Sequence, residues 1–420
     1  MREEKQFQQN QKQKITCPNC NSDKIILKGK KKNKLQVLQK YKCKVCNKIF
    51  TLNPVKNITY PIKIILKSLS TYNLGYTLKQ ASDLINNNYK LNTSPQTISN
   101  WLNEHDDVCT FSKIRKESIK LYSPKNIIHK QTLNHIQPYT FKYHKAKIYL
   151  LFHDIKYNNQ FHNIAHFYEP LKKYLEKINS KEFPHHIFTY EKTKTSSPNA
   201  EIAQKILIND TINNQGNIGM GQNEKASASA TEVAQKNLTY ENTASNNNST
   251  SVTEQRASQI KFSHLKINHI QKKNQANQLA KLAINLAATN KDRHQAIQDF
   301  MLINDSTTIA VEVPIYLTNW DAGYYKNQKG FIFPLNNYQT PITGHVDILQ
   351  VRNGLIHILD YKPEADKQNP TEQLTIYALA LSRKLNLPIY YFKCAWFDEN
   401  NYFEFFPLHA VYERKKPKIS

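Results

Sequence analysis

Near the front of the chain, apolar residues recur at helical spacing in two places. Leu78, Ala81, Leu84 and Ile85 fall on one helical face. Thr77, with Gln80 three places on, reads as a capping box that starts this helix. A polar break runs from Asn86 to Thr93, and then Ser94 and Pro95 supply an N-cap and an N1 proline. Ile98, Trp101 and Leu102 give the second helix a single apolar face. The stretch 110–190 mixes Tyr, His and Lys with apolar runs such as Ala146 to Phe152. From 192 to 255 the chain is poor in aromatics and rich in Asn, Ser, Thr, Gln and Ala, a composition that buries little and predicts a linker. Order returns near 262 with a helical segment, several strands, a helix and a last strand. Two of those strands flank Asn353-Gly354, the strongest short hairpin signal.

Charge narrows the partners. The chain has 420 residues and a formal net charge of +25, a surplus that predicts a polyanionic partner, most often nucleic acid. Lysine richness also follows from a biased genome, and the abundant Asn, Ile and Tyr fit that alternative. No apolar run of ~18 residues exists, so no membrane span is expected. The polar start Met1-Arg2-Glu3-Glu4-Lys5-Gln6 lacks a signal-peptide core, and a cytoplasmic protein is expected, with a homo-oligomer left open. Six cysteines in a chain of this length do not suggest a disulfide framework.

Four of those cysteines stand as Cys17-x2-Cys20 and Cys43-x2-Cys46. Two tight turns of this kind aim four thiolates at one point, the tetrahedral S4 shell that structural zinc prefers. Between them, the run Lys28 to Lys34 would lie at a hairpin tip, with Lys30, Lys31 and Lys32 placed to touch phosphate. The segment Lys40 to Thr51 resembles the zinc ribbon at the front of many insertion-sequence transposases. On the second helix, Gln96, Thr97 and Asn100 occupy the polar face, and Gln and Asn pair bidentately with adenine in the major groove. This pair of helices resembles the helix-turn-helix that follows the ribbon in those transposases. A transposase would next need an acidic triad. In the stretch 110–190 no convincing triad stands out: Asp154 is nearly alone, the next acidic residue, Glu169, lies in a helical-looking run, and the histidines, from His129 to His186, have no ligand spacing.

The densest chemistry lies in the Asn353-Gly354 hairpin. A two-residue turn pairs Arg352 with Leu355, and counting outward sets Asp347 opposite Asp360 and His345 opposite Lys362. Opposed residues have Cβ atoms ~4.5–5.5 Å apart, so two carboxylates would repel unless a divalent cation sat between them. Asp360 and Lys362 are two apart and share a face, which puts an ammonium beside the pair. An acidic pair at a wet strand end, or a register slipped by one, is the alternative. Glu312 stands inside the apolar strand Thr308 to Leu317 and asks for a partner. Gln373 and Tyr377, four apart, share a face of the helix that Asn369-Pro370-Thr371-Glu372 opens, and His294 sits in an earlier helical run.

Taken in order, these residues resemble the RecB-like branch of the PD-(D/E)XK nucleases, which includes the CRISPR-associated exonucleases. The pattern of that family is a helical His, in many members a strand Glu, a Gly-x-x-Asp strand, an Asp/Glu-x-Lys strand and a Gln-x-x-x-Tyr helix. It matches His294, Glu312, Gly344 with Asp347, Asp360 with Lys362, and Gln373 with Tyr377. The resemblance implies Mg2+ or Mn2+ held by His294, Asp347, Asp360 and the Tyr361 carbonyl. Lys362 would serve the attacking water, while Gln373 and Tyr377 would brace the site or touch DNA. With only Cys394 in this region, no iron–sulfur cluster is expected. The sequence thus predicts a multidomain chain: a zinc ribbon at 1–55, an all-α helix-turn-helix at 58–108, an α+β middle segment at 110–190, a flexible linker at 192–260 and an α/β restriction-endonuclease-like core at 262–415. The predicted activity is DNA hydrolysis, and the alternative is a DNA-binding regulator or mobile-element protein with an inactive nuclease fold.

Overall fold

The computed structural model describes residues 15–32, 37–51, 60–133, 139–153, 165–178, 255–262, 265, 267–332 and 341–413. Most of the expected linker, residues 192–254, lies outside them, as do Asn33, Lys34, Asp154 and His186. Within the described residues the chain is mixed α/β, with a small cysteine-bearing sheet at the front and a large sheet behind.

The front sheet has three antiparallel strands, β1 (Ile25–Lys32), β2 (Val37–Cys43) and β3 (Ile49–Thr51), in that order. Its β1–β2 register shifts between Leu27 and Lys30. Gly29 sits in that irregularity at φ +79°, a left-handed conformation that a Cβ would oppose.

Four helices follow: α1 (Ile62–Asn73), α2 (Leu78–Tyr89), α3 (Pro95–Glu104) and α4 (Ser112–Leu121). α2 begins at the expected box, where the Thr77 hydroxyl accepts from the Gln80 amide at 3.2 Å and Gln80 Oε1 accepts from the Thr77 amide at 2.9 Å. α3 begins at Ser94, whose Oγ accepts from the Thr97 amide at 3.1 Å. Asn86 fastens the turn between them: its Oδ1 accepts from the Thr93 amide at 2.7 Å and its Nδ2 donates to the Thr93 carbonyl at 2.9 Å.

Behind these helices come β4 (Ile128–Leu133), β5 (Tyr139–His144), α5 (Lys145–His153) and α6 (Ala165–Lys177). Then follow β6 (Gln255–Arg256), β7 (Ile270–Gln271), α7 (Gln275–Ala283), α8 (Arg293–Asn304), β8 (Thr308–Leu317) and β9 (Ile342–Arg352). The remainder is β10 (Leu355–Tyr361), α9 (Thr371–Leu385), β11 (Phe392–Phe397) and β12 (Tyr402–Phe405). The large sheet has the order β4-β5-β8-β9-β10-β11-β12-β7, with β6 joining β9 off that path. Its pairings are antiparallel except β10 with β11 and β6 with β9. Parallel neighbours need a long crossover, and α9 supplies the one between β10 and β11.

Side chains alternate between two cores. Along β10, Ile356 and Ile358 pack in one core with Leu374 and Leu381 of α9. Leu359 and Tyr361 pack in the other with Leu279 of α7 and Phe300 of α8. Helices therefore cover both faces, and by the same alternation Asp360 points to the α9 side.

The middle stretch, to which the sequence assigned no role, extends this sheet. β5 pairs with β8 through Lys142↔Val311 and Tyr143↔Ala310, and β4 forms the edge beyond it. The front helices also join the large core, because Ile65 and Leu69 of α1 belong to the same cluster as Phe300 and Met301 of α8.

Candidate functional site

The site is built where β8, β9 and β10 lie side by side under the start of α8. The hairpin turn is the device that sets it. Asn353 and Gly354 have φ of 51° and 72°, the two left-handed residues that a tight two-residue turn demands. The ladder runs from Leu355↔Arg352 to Leu359↔Ile348, which is the counted register, and the next step sets Asp360 beside Asp347. One ligand atom each from His294, Asp347 and Asp360 lie within 4.8 Å of one another.

Each carboxylate is held differently. Asp347 Oδ2 is 2.8 Å from His294 Nε2. Burial works against its charge, but the hydrogen bond and charge of His294 hold its pKa down to about 2. Asp360 is 2% exposed, and neither of its oxygens has a well-aligned hydrogen-bond donor. Burial and then the charge of Asp347 push its carboxyl well above the carboxylate range. Lys362 Nζ lies 2.9 Å from Asp360 Oδ2 as an ion pair. Burial lowers the Lys362 pKa, but the two aspartates more than offset this and raise it. A half-buried and a buried carboxylate thus face each other with one ammonium beside them, and Asp360 Oδ1, which has no hydrogen-bond donor, is what a hard cation would satisfy. Oxygen donors with one imidazole suit Mg2+ or Mn2+ better than a soft metal.

Glu312 enters from β8, between Val311↔Ile348 and Val313↔Val346, so it stands level with Asp347. Among the described residues it is the one non-glycine strand residue with positive φ, at 54°. A non-glycine residue held there in mid-strand is strained, and such strain gathers at functional sites. Burial first, and Asp347 second, raise its carboxyl to about 7, against a 2.6 Å hydrogen bond donated by Gln298. His345 Nδ1 lies 3.7 Å from Glu312 Oε2, and its ring stacks on Tyr139 at 3.7 Å.

Tyr361 stands between Asp360 and Lys362, but its side chain turns to the other face. Its hydroxyl donates to Glu399 at 2.7 Å and its ring packs edge-on to His294. Only its backbone is left to serve the site. On α9, Gln373 Nε2 donates to the Tyr377 hydroxyl at 2.9 Å. Gly344 explains how close this helix comes, since a Cβ there would sit 2.6 Å from Tyr377 Cε1. The Tyr377 ring is 5% exposed and has little room to retreat. Gly344→Ala is therefore expected to cost about 1–3 kcal/mol of stability, the usual range for overpacking. Thermal unfolding checks it, and an unchanged midpoint would show that the ring moves freely.

The four cysteines of the front sheet also meet, with a Sγ from each within 4.8 Å of the others, close enough to hold a metal ion. Cys17 and Cys46 Sγ are 3.5 Å apart, and Cys20 and Cys43 are 3.6 Å apart. A tetrahedron with ~2.3 Å metal–sulfur bonds has edges of about 3.8 Å. Asn21 and Asn47, each just after a knuckle's second cysteine, take left-handed φ of 54° and 57° and close the two turns. Backbone amides of Cys46 and Val45 lower the Cys43 thiol to about 6, against burial, which favours the thiolate a metal needs.

Of the other candidates, Lys30 and Lys31 are exposed on β1 next to the hairpin tip, and Lys32 ends that strand. Gln96 and Asn100 are exposed on α3 and hydrogen-bond each other at 3.0 Å. Thr97 is tied to the cap, with its hydroxyl 2.9 Å from Ser94 Oγ. The sequence reading did not single out Gln298 or His345 as site residues. Gln298 is four places after His294 on one helix face, a signal available in the spacing.

No family model matches this chain, and no curated protein or solved structure matches it. Among the described residues no helix is long and apolar enough to cross a membrane.

Proposed function

We propose that this chain is a metal-dependent deoxyribonuclease of the RecB-like PD-(D/E)XK kind, with a zinc ribbon and a helix-turn-helix that hold it on DNA. One observation carries the reading: His294, Asp347 and Asp360 converge on one point, with Lys362 against Asp360. His294, Asp347 and Asp360 would hold Mg2+ or Mn2+, joined by the Tyr361 carbonyl. Such an ion supplies Lewis acidity at the phosphodiester and lowers the pKa of water. The chain's own residues do the rest. Lys362 places positive charge beside the reacting phosphate and orients the attacking water. Tyr377 and Gln373 brace the carboxylates from α9. Gln298 fixes Glu312, which adds a third acid to the row across β8, β9 and β10. The +25 charge draws the phosphate backbone to the surface.

The test is incubation of the purified chain with end-labelled single- and double-stranded DNA, with Mn2+ or with chelator. Metal-dependent cleavage of at least one form is expected. A protein inert on every form that still binds DNA would replace this reading with that of a DNA-binding regulator.

The cysteine quartet would hold structural zinc, its four positions filled by protein. About one zinc per chain is expected in metal analysis, and Cys43→Ser should lose it. Because the ligands meet only in the folded ribbon, that variant should also lose amide protection across 15–51. A wild-type protein without zinc whose front sheet is fully protected would refute the assignment.

A further inference from the structure

We infer that the front helices and the sheet core form one rigid body, so that the chain cuts DNA at a constant offset from the sequence that α3 reads. This rests on the nuclease reading above and adds where it would cut.

The join is made by α8. At its first turn stands His294, which contacts Asp347, and at its last residue stands Asn304, which contacts α1. Twelve residues of helix span about 16–18 Å. One helix therefore sets the distance between the carboxylate site and the helices that follow the ribbon.

The contact at the far end is buried and polar, which fixes its geometry. Asn304 Oδ1 accepts from Asn73 Nδ2 at 2.9 Å, and Asn304 Nδ2 donates to Ser70 Oγ at 2.9 Å. Asn73 and Asn304 are 1% and 0% exposed. The Asn304 carbonyl accepts from the Phe111 amide at 3.0 Å, and Gln275 Nε2 donates to the Val108 carbonyl at 2.7 Å. Shifting the front helices against α7 and α8 would leave these groups unpaired inside the protein. Domains joined by small polar surfaces move against each other by default. Here the surface is an apolar core shared by α1, α7 and α8, with hydrogen bonds at set points.

The front helices are locked to one another as well. Arg115 of α4 donates to the carbonyls of Tyr72 and Tyr76, each at 2.8 Å, and its guanidinium lies 3.6 Å over the Tyr72 ring. These contacts pin the turn between α1 and α2, and Asn86 pins the turn between α2 and α3. The exposed Gln96 and Asn100 on α3 are thus fixed relative to Asp347 and Asp360. The occupant of that α3 face is duplex DNA, which the strongly basic chain attracts and whose major groove accepts a helix.

The experiment uses the full chain in two steps. Asp360→Asn protein first selects binders from duplexes carrying a randomised core of about 20 base pairs, and footprinting locates the bound segment. Wild-type protein with Mn2+ then cleaves end-labelled duplexes in which that segment is moved along a fixed sequence. One or two cut positions per strand are expected, moving in step with the segment. Cuts that stay in place or scatter, or a selection that yields no preferred segment, would overturn the inference while leaving the nuclease reading standing. No cleavage of any DNA would overturn both. A readout that needs no activity is amide exchange through a guanidinium titration. Segments 62–104 and 308–361 should open at one midpoint, and two separate midpoints would overturn the rigid body.

Discussion

Asp360→Asn is expected to abolish metal-dependent cleavage while leaving the metal-free protein at least as stable as wild type. The two effects have one cause. Asp360 is buried, and burial first and the charge of Asp347 second push its carboxyl up, against the Lys362 ammonium 2.9 Å away. Without a cation this pair is a strain that folding tolerates, and a neutral amide of the same shape removes it. With a cation the same pair would be a ligand set, and the amide would leave it one charge short. Metal-induced stabilisation should therefore vanish in the variant. A merely destabilised protein would behave in the opposite way, with a lower unfolding midpoint and residual activity. Lys362→Ala separates ligation from charge. It leaves all four proposed ligands in place and removes the ammonium, so cleavage should fall by about 10²–10³-fold, as for loss of one electrostatic donor, with metal-induced stabilisation retained. Cleavage rates and unfolding midpoints, each with and without Mn2+, decide the matter. Wild-type cleavage by Asp360→Asn would sink the site assignment.

What could be read in the sequence was what short-range rules control. The hairpin register followed from a two-residue turn and a side-chain period of two, so the Asp347–Asp360 pairing could be counted before any fold was known. The starts of α2 and α3 followed from Thr77, Gln80, Ser94 and Pro95, whose hydrogen bonds are local. The rest depended on partners far along the chain. β5 meets β8 across more than 160 residues, and nothing in Tyr139 to His144 marks it as a sheet strand of a core that resumes near 262. The seating of α1 on α8 has the same origin, since the sequence shows that Ile65 and Leu69 are apolar but not what covers them. The left-handed φ of Glu312 is a tertiary effect, because no glycine or asparagine announces it. Gly344 stood in a recognisable motif, but its reason, the Tyr377 ring against its Cα, needed the packing of α9.

Lys147→Met is expected to be among the most destabilising single changes in the core, although Lys147 touches no proposed catalytic group. Lys147 is 2% exposed. Its ammonium donates to the carbonyls of Leu302 at 2.6 Å and Thr308 at 2.8 Å, and to the carbonyl of Asp305. Those carbonyls run from the last turn of α8 to the first residue of β8, and Lys147 belongs to α5, so one side chain ties the middle stretch to the sheet core. Burial lowers its pKa to about 7, and Asp305 acts against that. Replacing a whole buried ion pair with apolar groups is often harmless, because both costs leave together. Here the partners are backbone carbonyls that no substitution can remove. Methionine fills the space but leaves three acceptors unsatisfied at the end of α8, at a cost of about 3–5 kcal/mol by comparison with other broken buried charge contacts. For a core of this size that is a fall on the order of 10 °C in unfolding midpoint. The loss should extend to α1, because the Asn304 contact with Asn73 sits on the same turn. Calorimetry checks the first expectation and amide exchange in 62–73 the second. A midpoint within a degree or two of wild type would mean that water takes the place of the ammonium, and that the tie between the middle stretch and the core is made by its other contacts, β5 on β8 and Tyr174 on the Pro314 carbonyl among them.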